Sequence, residues 1–194
     1  MDYEARQIKV TRAKGLTLVE LMVTIAIAAI LTAIAAPNFT PLIKNNRFAA
    51  QKNELQSALN LARSEAVKRN GTVSVCISNN GSGCSGHSNH FHHGWLVFAD
   101  ANADGEVNGG DVILRAYNEA FGRMKILFSR GEYVTYGSDG LVVVGGDSHF
   151  EFCENYDGEN YGGIIISPTG RPRHAVDSDS NGILEDSDGS DFDC

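Results

Sequence analysis

The segment KGLTLVELMVTIAIAAILTAIAAP, residues 14–37, decides the fold of this chain. Its 21 residues from Leu16 to Ala36 carry a single charge, that of Glu20. As a helix they would extend about 31 Å, close to the hydrocarbon thickness of a bilayer. Basic residues outnumber acidic ones before Leu16, which predicts that this end stays in the cytoplasm while the rest is exported. The alternative, a secretory signal cleaved near AIAAP, does not account for a carboxylate within the apolar stretch.

The motif KGLTLVEL resembles the processing site of type IV pilins and pseudopilins. In that family a prepilin peptidase cuts after the glycine, and the new N-terminus is methylated. The resemblance implies that residues 1–15 form a leader peptide and that cleavage separates Gly15 from Leu16. Glu20 would then be the fifth residue of the mature protein, and residues 16–36 would be kept as a transmembrane and filament-core helix.

The chemistry of cleavage suggests what Glu20 does. Cleavage creates an ammonium group at Leu16, which enters an apolar environment without a partner. A carboxylate one helical turn along can neutralise such a charge on a neighbouring subunit, and an unpaired charge there would be strongly unfavourable. We therefore expect Glu20 to set the register of helix assembly.

The helical pattern continues through residues 37–70. Apolar residues recur there at spacings of seven, four, three and four, which predicts one buried stripe. The stripe consists of Phe48, Leu55, Leu59, Ala62 and Ala66. Charged residues occupy the opposite face, namely Lys52, Glu54, Arg63 and Lys68. Together with the apolar segment this predicts one helix of roughly 55 residues that is bent near Pro37, where pilins often carry a proline, and that stops at the glycine of RNG, 69–71.

Residues 71–176 consist of short β-type runs separated by turns rich in Gly, Asn and Asp. Eight such runs are TVSVCI, GWLVFA, VILRAY, MKILF, EYVTY, LVVVG, HFEFCE and GGIIIS. The predicted fold class is therefore α+β and pilin-like. A long N-terminal α-helix, transmembrane in its first half, would pack on a C-terminal antiparallel β-sheet or sandwich, followed by an acidic tail over residues 177–194.

Three stretches resemble the GspH/FimT branch of minor pilins. They are NELQSALNLARSEAVKRN, GWLVFADANADG and IIISPTGRPR. The resemblance implies a type IV pilus subunit that assembles into the pilus or its tip, with a pseudopilin of type II secretion and a DNA-binding minor pilin of natural transformation as alternatives. The implied partners are other major and minor pilins, prepilin peptidase, the inner-membrane assembly platform and, in the last alternative, DNA. The implied location is a single pass through the inner membrane with a periplasmic C-terminal domain, and later the extracellular pilus.

Composition limits the other possibilities. The formal net charge is −8, and because residues 1–15 contribute +2 the remainder carries about −10, which argues against a generally nucleic-acid-binding surface. No nucleophile elbow or informative Ser/His/Asp or Cys/His spacing is present, so the chain is not expected to be an enzyme. Four cysteines follow the apolar segment, and an exported domain favours disulfides. The Gly-rich segment between Cys76 and Cys84 favours that pair together with Cys153–Cys194, although other connectivities and free buried thiols stay open.

Two acidic loops have the spacing of a calcium loop. In the first, DANADGEVNGGD, the oxygen ligands would come from Asp100, Asn102, Asp104 and Asp111. In the second, DSDSNGILEDSD, they would come from Asp177, Asp179, Asn181 and Asp188. The alternatives are an Asp/Asn/Gly hairpin turn without metal for the first loop and a solvated acidic tail for the second. No other cofactor is expected.

Two further polar clusters remain. The loop HSNHFHHG, residues 87–94, carries four histidines without a recognised zinc spacing, and a polar loop is the favoured interpretation. In SPTGRPR, residues 167–173, Arg171 and Arg173 match a G-R-x-R motif that is implicated in DNA binding in FimT-like proteins. The alternative is that these arginines pair with nearby carboxylates.

Overall fold

The computed structural model describes residues 15–35, 39–85, 89–155, 160–192 and 194. The chain divides into two compact units, Met1–Ile43 and Lys44–Cys194. Pro37 and the expected bend there lie outside the described residues, as do residues 1–14 of the expected leader. Among the residues that the structure describes, no helix has both the length and the apolar character that crossing a membrane requires.

Among the described residues, two helices precede the β-strands. Helix α1 comprises Leu18–Ala35 and helix α2 comprises Phe39–Arg69. Helix α2 ends one residue earlier than the predicted glycine stop, because Asn70 takes the left-handed conformation with a φ of 52°. The N–H of Asn70 donates to the Val67 carbonyl and that of Gly71 donates to the Ala66 carbonyl, which is the Schellman arrangement of a helix C-terminus.

In the part of the chain that the structure describes, nine strands form two antiparallel sheets. The strands are β1 Val73–Ile77, β2 Trp95–Ala99, β3 Val112–Tyr117, β4 Met124–Phe128, β5 Tyr133–Tyr136, β6 Val142–Val144, β7 Ser148–Glu154, β8 Asn160–Ile166 and β9 Pro172–His174. The first sheet has the order β3-β2-β1-β5-β6, and the second has the order β4-β7-β8-β9. A short 3₁₀ helix, Phe91–His93, precedes β2. The predicted α+β class with antiparallel sheets is thus confirmed.

One hydrophobic core joins α2 to both sheets. The predicted stripe of α2 is buried throughout, with Phe48 5% exposed and the other four members fully buried. Val75 and Val97 contribute to this core from the first sheet, and Phe150 and Ile164 contribute to it from the second. The stripe is therefore the surface on which the β domain folds, since burial of each large apolar side chain contributes roughly 1.5–3 kcal/mol.

Two charged residues of α2 depart from the predicted solvent face. Lys52 donates a hydrogen bond from Nζ to the Tyr161 carbonyl at 2.7 Å, and Arg63 donates from Nε to the Gly140 carbonyl at 2.9 Å. Both side chains are partly buried. They bind backbone oxygens at the margins of the stripe, because long basic side chains can cover apolar surface while their polar ends find acceptors.

Both predicted cysteine pairs are bonded in the structure. Cys76 pairs with Cys84, eight residues apart, and Cys153 pairs with Cys194, 41 residues apart. The second disulfide links β7 in the second sheet to the last residue of the chain.

The acidic C-terminal segment is packed on the protein. Phe192 is 6% exposed and forms a small cluster with Ile165 and Ala175, against which Leu184 packs. Gly163 of β8 makes room for this cluster, since a Cβ at that position would lie 2.2 Å from the Phe192 ring. The segment thus covers the face of the second sheet that points away from the main core.

Candidate functional site

The start of α1 contains an N-terminal cap. Thr17 precedes the first helical residue, and its Oγ1 accepts a hydrogen bond from the Glu20 N–H at 3.2 Å. A threonine followed three residues later by glutamate is the sequence of a capping box. Glu20 also lies in the first helical turn, where a negative charge interacts favourably with the helix dipole. Glu20 therefore has a local structural role in addition to the role in assembly that the sequence predicts.

The described apolar side chains from Leu16 to Leu31 are solvent-exposed. Their exposed fractions lie between 51% and 74%. They are Leu16, Leu18, Val19, Leu21, Met22, Val23, Ile25, Ile27, Ile30 and Leu31. Apolar residues on consecutive helical positions cover the whole circumference, and a helix that is apolar all round is stable when it is buried in lipid or among other helices.

The first acidic loop connects β2 to β3. Asp100 follows β2 directly, is fully buried, and accepts hydrogen bonds at Oδ2 from the Ser74 hydroxyl (2.6 Å) and the Gly105 N–H (3.0 Å). Asp104 accepts the Glu106 N–H at 2.9 Å, and this hydrogen bond is the main cause that lowers the pKa of the Asp104 carboxyl. Loop residues Asp100, Asn102, Asp104 and Asp111 therefore lie within one hydrogen-bonded turn.

Asp111 closes this loop. Its Oδ1 accepts the Ala101 N–H at 3.1 Å, and its Oδ2 accepts the Asn108 N–H at 3.0 Å. Gly105 has a φ of +77°, and a Cβ there would lie 2.4 Å from the Tyr133 ring. Glycine is thus required at this position both for the conformation and for the contact with β5.

The second acidic loop is organised around Glu185. The Glu185 carboxylate is 4% exposed and accepts the Ser178 N–H (2.7 Å), the Ser178 hydroxyl (2.8 Å) and the Asp179 N–H (3.2 Å). These hydrogen bonds, led by the Ser178 N–H, lower the pKa of Glu185. Asp177 accepts the N–H groups of Ser180 and Gly182. The sequence did not single out Glu185, which lies outside the calcium spacing and nevertheless forms the centre of the loop.

The predicted ligands of the second loop separate into two groups. Carboxylate oxygens of Asp177, Asp179 and Glu185 lie within 4.8 Å of one another. Asn181 donates from its amide to Asp179 and Asp191, whereas Asp188 donates its N–H to Asp186. Asp188 is therefore engaged in the following turn, and the structure does not group it with the three clustered carboxylates.

The described histidines of the loop before β2 form a cluster. His90, His92 and His93 have ring nitrogens within 4.8 Å of one another, and His87 lies outside the described residues. His92 is 2% exposed, and its Nε2 lies 3.1 Å from the Lys125 Nζ. Burial, followed by the nearby Lys125 charge, lowers the pKa of His92 to about 4. His92 is thus a neutral core histidine at physiological pH.

The arginines of GRPR lie at the edge of the second sheet. Gly170 ends a turn in which its N–H donates to the Ser167 carbonyl at 2.8 Å, and β9 begins at Pro172. Arg171 and Arg173 are both exposed, whereas Pro172 between them is buried. Within the described ranges no ion pair to a carboxylate involves either arginine. The two guanidinium groups are therefore accessible to an anionic partner.

An exposed apolar N-terminal helix that opens with a carboxylate, followed by a disulfide-bonded antiparallel β domain, defines a pilin-like protein. The family model described as "Type II transport protein GspH" matches residues 51–170, and the prokaryotic N-terminal methylation motif matches residues 10–36. This chain belongs to the GspH family, and it is a minor pilin or pseudopilin of a type IV pilus or a type II secretion system.

Individual proteins show the same relationship. The pilin-like protein PilA1 of Thermus thermophilus is 30% identical over 131 residues, which cover 59% of this chain and 75% of that protein. A crystal structure of the type IV minor pilin FimU of Pseudomonas aeruginosa has the same fold, with a TM-score of 0.54 and 20% identity over 70% of this chain and 93% of FimU. The similarity to the minor pseudopilin EpsH from the type 2 secretion system of Vibrio cholerae is lower, with a TM-score of 0.45 and 12% identity over 66% of this chain and 95% of EpsH.

Proposed function

We propose that this chain is a minor pilin of a type IV pilus, assembled through its N-terminal helix into the pilus or its tip. Residues 1–15 serve as the leader, prepilin peptidase cuts between Gly15 and Leu16, and residues 16–36 anchor the protein in the inner membrane before assembly. The amphipathic continuation, residues 37–70, carries the β domain of residues 71–176 on the periplasmic side, with the acidic segment 177–194 packed on it. The protein acts by polymerisation and not by catalysis.

The observation that carries this proposal is the position of Glu20. A carboxylate is retained in the first turn of an otherwise apolar helix, within the residues 10–36 that match the methylation motif. In an assembled helix bundle this carboxylate would neutralise the Leu16 ammonium of a neighbouring subunit. Because two unpaired charges in an apolar environment are far less stable than a pair, the contact favours one register over the others.

The test separates the charge of Glu20 from its place in the helix cap. Glu20→Gln removes the charge but keeps a residue that suits the third helical position of a capping box. Thr17→Ala removes the cap, at a cost of about 1 kcal/mol, but keeps the charge. We expect both variants to be processed in the native host, and we expect only Glu20→Gln to be missing from filaments sheared from the cells.

Immunoblots of cell and filament fractions give the readout. If Glu20→Gln entered filaments at the wild-type level while Thr17→Ala did not, Glu20 would act only through the helix cap, and the proposed charge pairing would be wrong.

The choice between a pilus and a type II secretion system requires a phenotype. Deletion of the gene in the native host is expected to abolish surface filaments and leave protein secretion intact, and re-expression of the chain is expected to restore the filaments. Loss of secretion with normal filaments would instead identify a pseudopilin.

A second candidate function is contact with DNA, for which the accessible arginines give a specific reason. Arg171 lies directly before β9 and Arg173 is its second residue, and neither has a carboxylate partner among the described residues. Guanidinium groups bind phosphates through paired hydrogen bonds. Two such contacts are expected to give a logarithmic salt dependence of affinity with a slope of about −2.

The DNA test uses charge-matched variants. Arg171→Ala with Arg173→Ala removes both arginines, and Arg123→Ala with Arg130→Ala removes two exposed arginines elsewhere in the β domain. We expect retardation of duplex DNA by the wild type and the control variant, and its loss in the first variant. Equal binding by all three proteins would exclude GRPR as the DNA contact.

A further inference from the structure

We propose that the loop Asp100–Asp111 binds one calcium ion, with Asp100 Oδ1 as its central ligand. Calcium binding at this loop does not depend on the filament in which the chain assembles. Asp100 Oδ1 is buried and accepts no hydrogen bond from the described residues.

Asp100 is fully buried, and its two carboxylate oxygens have different surroundings. Oδ2 accepts the Ser74 hydroxyl and the Gly105 N–H, whereas Oδ1 is buried without a hydrogen-bond partner in the described part of the chain. Burying an oxygen of a carboxylate without a partner is costly. A hard cation offers the compensation that the protein itself does not provide, because calcium binds carboxylate oxygens strongly.

The hydrogen bonds of Asp100 Oδ2 fix the position of the carboxylate. The Gly105 N–H, at the sixth position of the loop, donates to Oδ2 at 3.0 Å and so joins the carboxylate to the loop backbone. Ser74 fixes the same oxygen from β1, and its hydroxyl is in turn 2.6 Å from the Thr135 hydroxyl of β5. Strands β1 and β5 and the loop backbone thus hold Asp100 in one orientation, which is the rigidity that a first-position calcium ligand needs.

The remaining oxygen ligands come from the same turn. Positions three, five and twelve hold Asn102, Asp104 and Asp111, and the carbonyl of Glu106 occupies position seven. The amide nitrogens of Asn102 and Asn108 lie 2.6 Å and 2.7 Å from Asp104 Oδ2. A half-turn of each amide about χ2 exchanges nitrogen for oxygen, so that both residues can present ligands to a cation beside Asp104 without movement of the backbone.

The second acidic loop has no buried carboxylate oxygen without a partner among its described residues. Its buried carboxylate, Glu185, accepts three hydrogen bonds, and no described buried side-chain atom of residues 177–191 lacks a partner. The two loops therefore provide a comparison within one chain. Both are acidic, and only the loop 100–111 contains a buried carboxylate oxygen in need of a cation.

The experiment measures binding to the full chain, purified in detergent and freed of divalent ions with a chelator. Isothermal titration with calcium chloride is expected to show one site with a Kd between about 10⁻⁵ and 10⁻³ M, the range of moderate EF-hand-type sites. Calcium is also expected to raise the melting temperature, because a ligand that binds only the folded state stabilises it. Magnesium at equal concentration is expected to do neither, since it requires a smaller octahedral site.

Matched charge variants locate the ion. Asp104→Asn is expected to weaken calcium binding by about tenfold or more, because the loop loses one formal charge and one ligand oxygen. Asp179→Asn makes the same change in the second loop and is expected to bind like the wild type. Both residues are exposed, and the melting temperature in chelator verifies that each variant is folded. Asp111→Asn serves as a second variant of the proposed loop.

Three outcomes would overturn the proposal. The first is the absence of binding up to about 10 mM calcium, well above the weakest sites of this type. The second is loss of binding in Asp179→Asn with wild-type binding in Asp104→Asn and Asp111→Asn, which would move the ion to the second loop. The third is an equal response to magnesium and calcium, which would indicate only general screening of an acidic protein.

Discussion

Glu20 occupies the third helical position after Thr17, where two physical effects favour a carboxylate. The cap and the helix dipole stabilise α1 within one chain. The ammonium proposed at Leu16 would oppose the same dipole, and the nearby carboxylate would offset that repulsion. The Glu20 side chain is exposed, so the same carboxylate can contact a neighbouring subunit. Glu20→Gln tests that contact because it removes the charge and keeps a residue that suits the cap.

His92 predicts how the stability of the β domain depends on pH. The unfolded chain protonates this histidine below about pH 6.5, whereas the folded chain does so only below about pH 4, because burial and Lys125 lower the pKa of His92. Between these values the unfolded state binds more protons, so the free energy of unfolding falls as the pH falls. The expected loss is at most about 3 kcal/mol.

Chemical denaturation of the full chain in detergent at pH 7, 6 and 5 measures this dependence. His92→Gln cannot take up the proton and is expected to show a flatter profile. The difference between the two proteins isolates His92 from His90, whose pKa is also lowered, mainly by burial. Parallel profiles for wild type and variant would contradict this account of His92.

Among the structural elements, the C-terminal segment departs most from what the sequence predicted. A run rich in Asp, Ser and Gly suggests solvation, yet Phe192, Leu184 and Glu185 hold it on the second sheet. The available signals were the apolar residues Leu184 and Phe192, the second of which lies two positions before Cys194. Strand β9 was also missed, because three residues with Pro172 at the start do not read as a strand, although a proline is acceptable on an edge strand.

The two disulfides are expected to contribute unequally to stability. The loop closed by Cys153–Cys194 spans 41 positions and that closed by Cys76–Cys84 spans eight. Loop-closure entropy then gives about 4 kcal/mol for the longer loop and about 2.5 kcal/mol for the shorter one. The pair of substitutions Cys153→Ala and Cys194→Ala should therefore lower the melting temperature more than Cys76→Ala with Cys84→Ala. An equal or reversed order would show that docking of the C-terminal segment does not depend on its covalent link.

The positions of helices and strands were easier to predict from the sequence than the contacts between them. The buried stripe of α2 follows from helical spacing, and eight of the nine strands in the described residues follow from alternation and turn residues. The cap at Thr17 also has a local signal, because residues 17–20, TLVE, have the sequence of a capping box. The environment of Asp100 was not predictable, because Ser74 reaches it only when β1 pairs with β2, and Thr135 reaches Ser74 only when β5 pairs with β1.

At the scale of the whole molecule, the division of the strands into two sheets required long-range pairing. Strand β4 pairs with β7 and β1 pairs with β5, and neither pairing has a signal in local sequence. The GspH family match identifies the family of the chain, but the strand order comes from the structure, which FimU shares. The class of protein was easier to predict from sequence than the topology, because the processing motif and Glu20 lie within a few residues of each other.

The central claim is that the N-terminal helix is retained after cleavage and becomes the assembly element. Intact mass and N-terminal peptide analysis of the protein isolated from its native host test this most directly. The account predicts a chain that begins at Leu16 and carries a methyl group on its N-terminal nitrogen. A chain that still contains residues 1–15 in cells producing prepilin peptidase, or one that begins beyond the segment AIAAP, would contradict it.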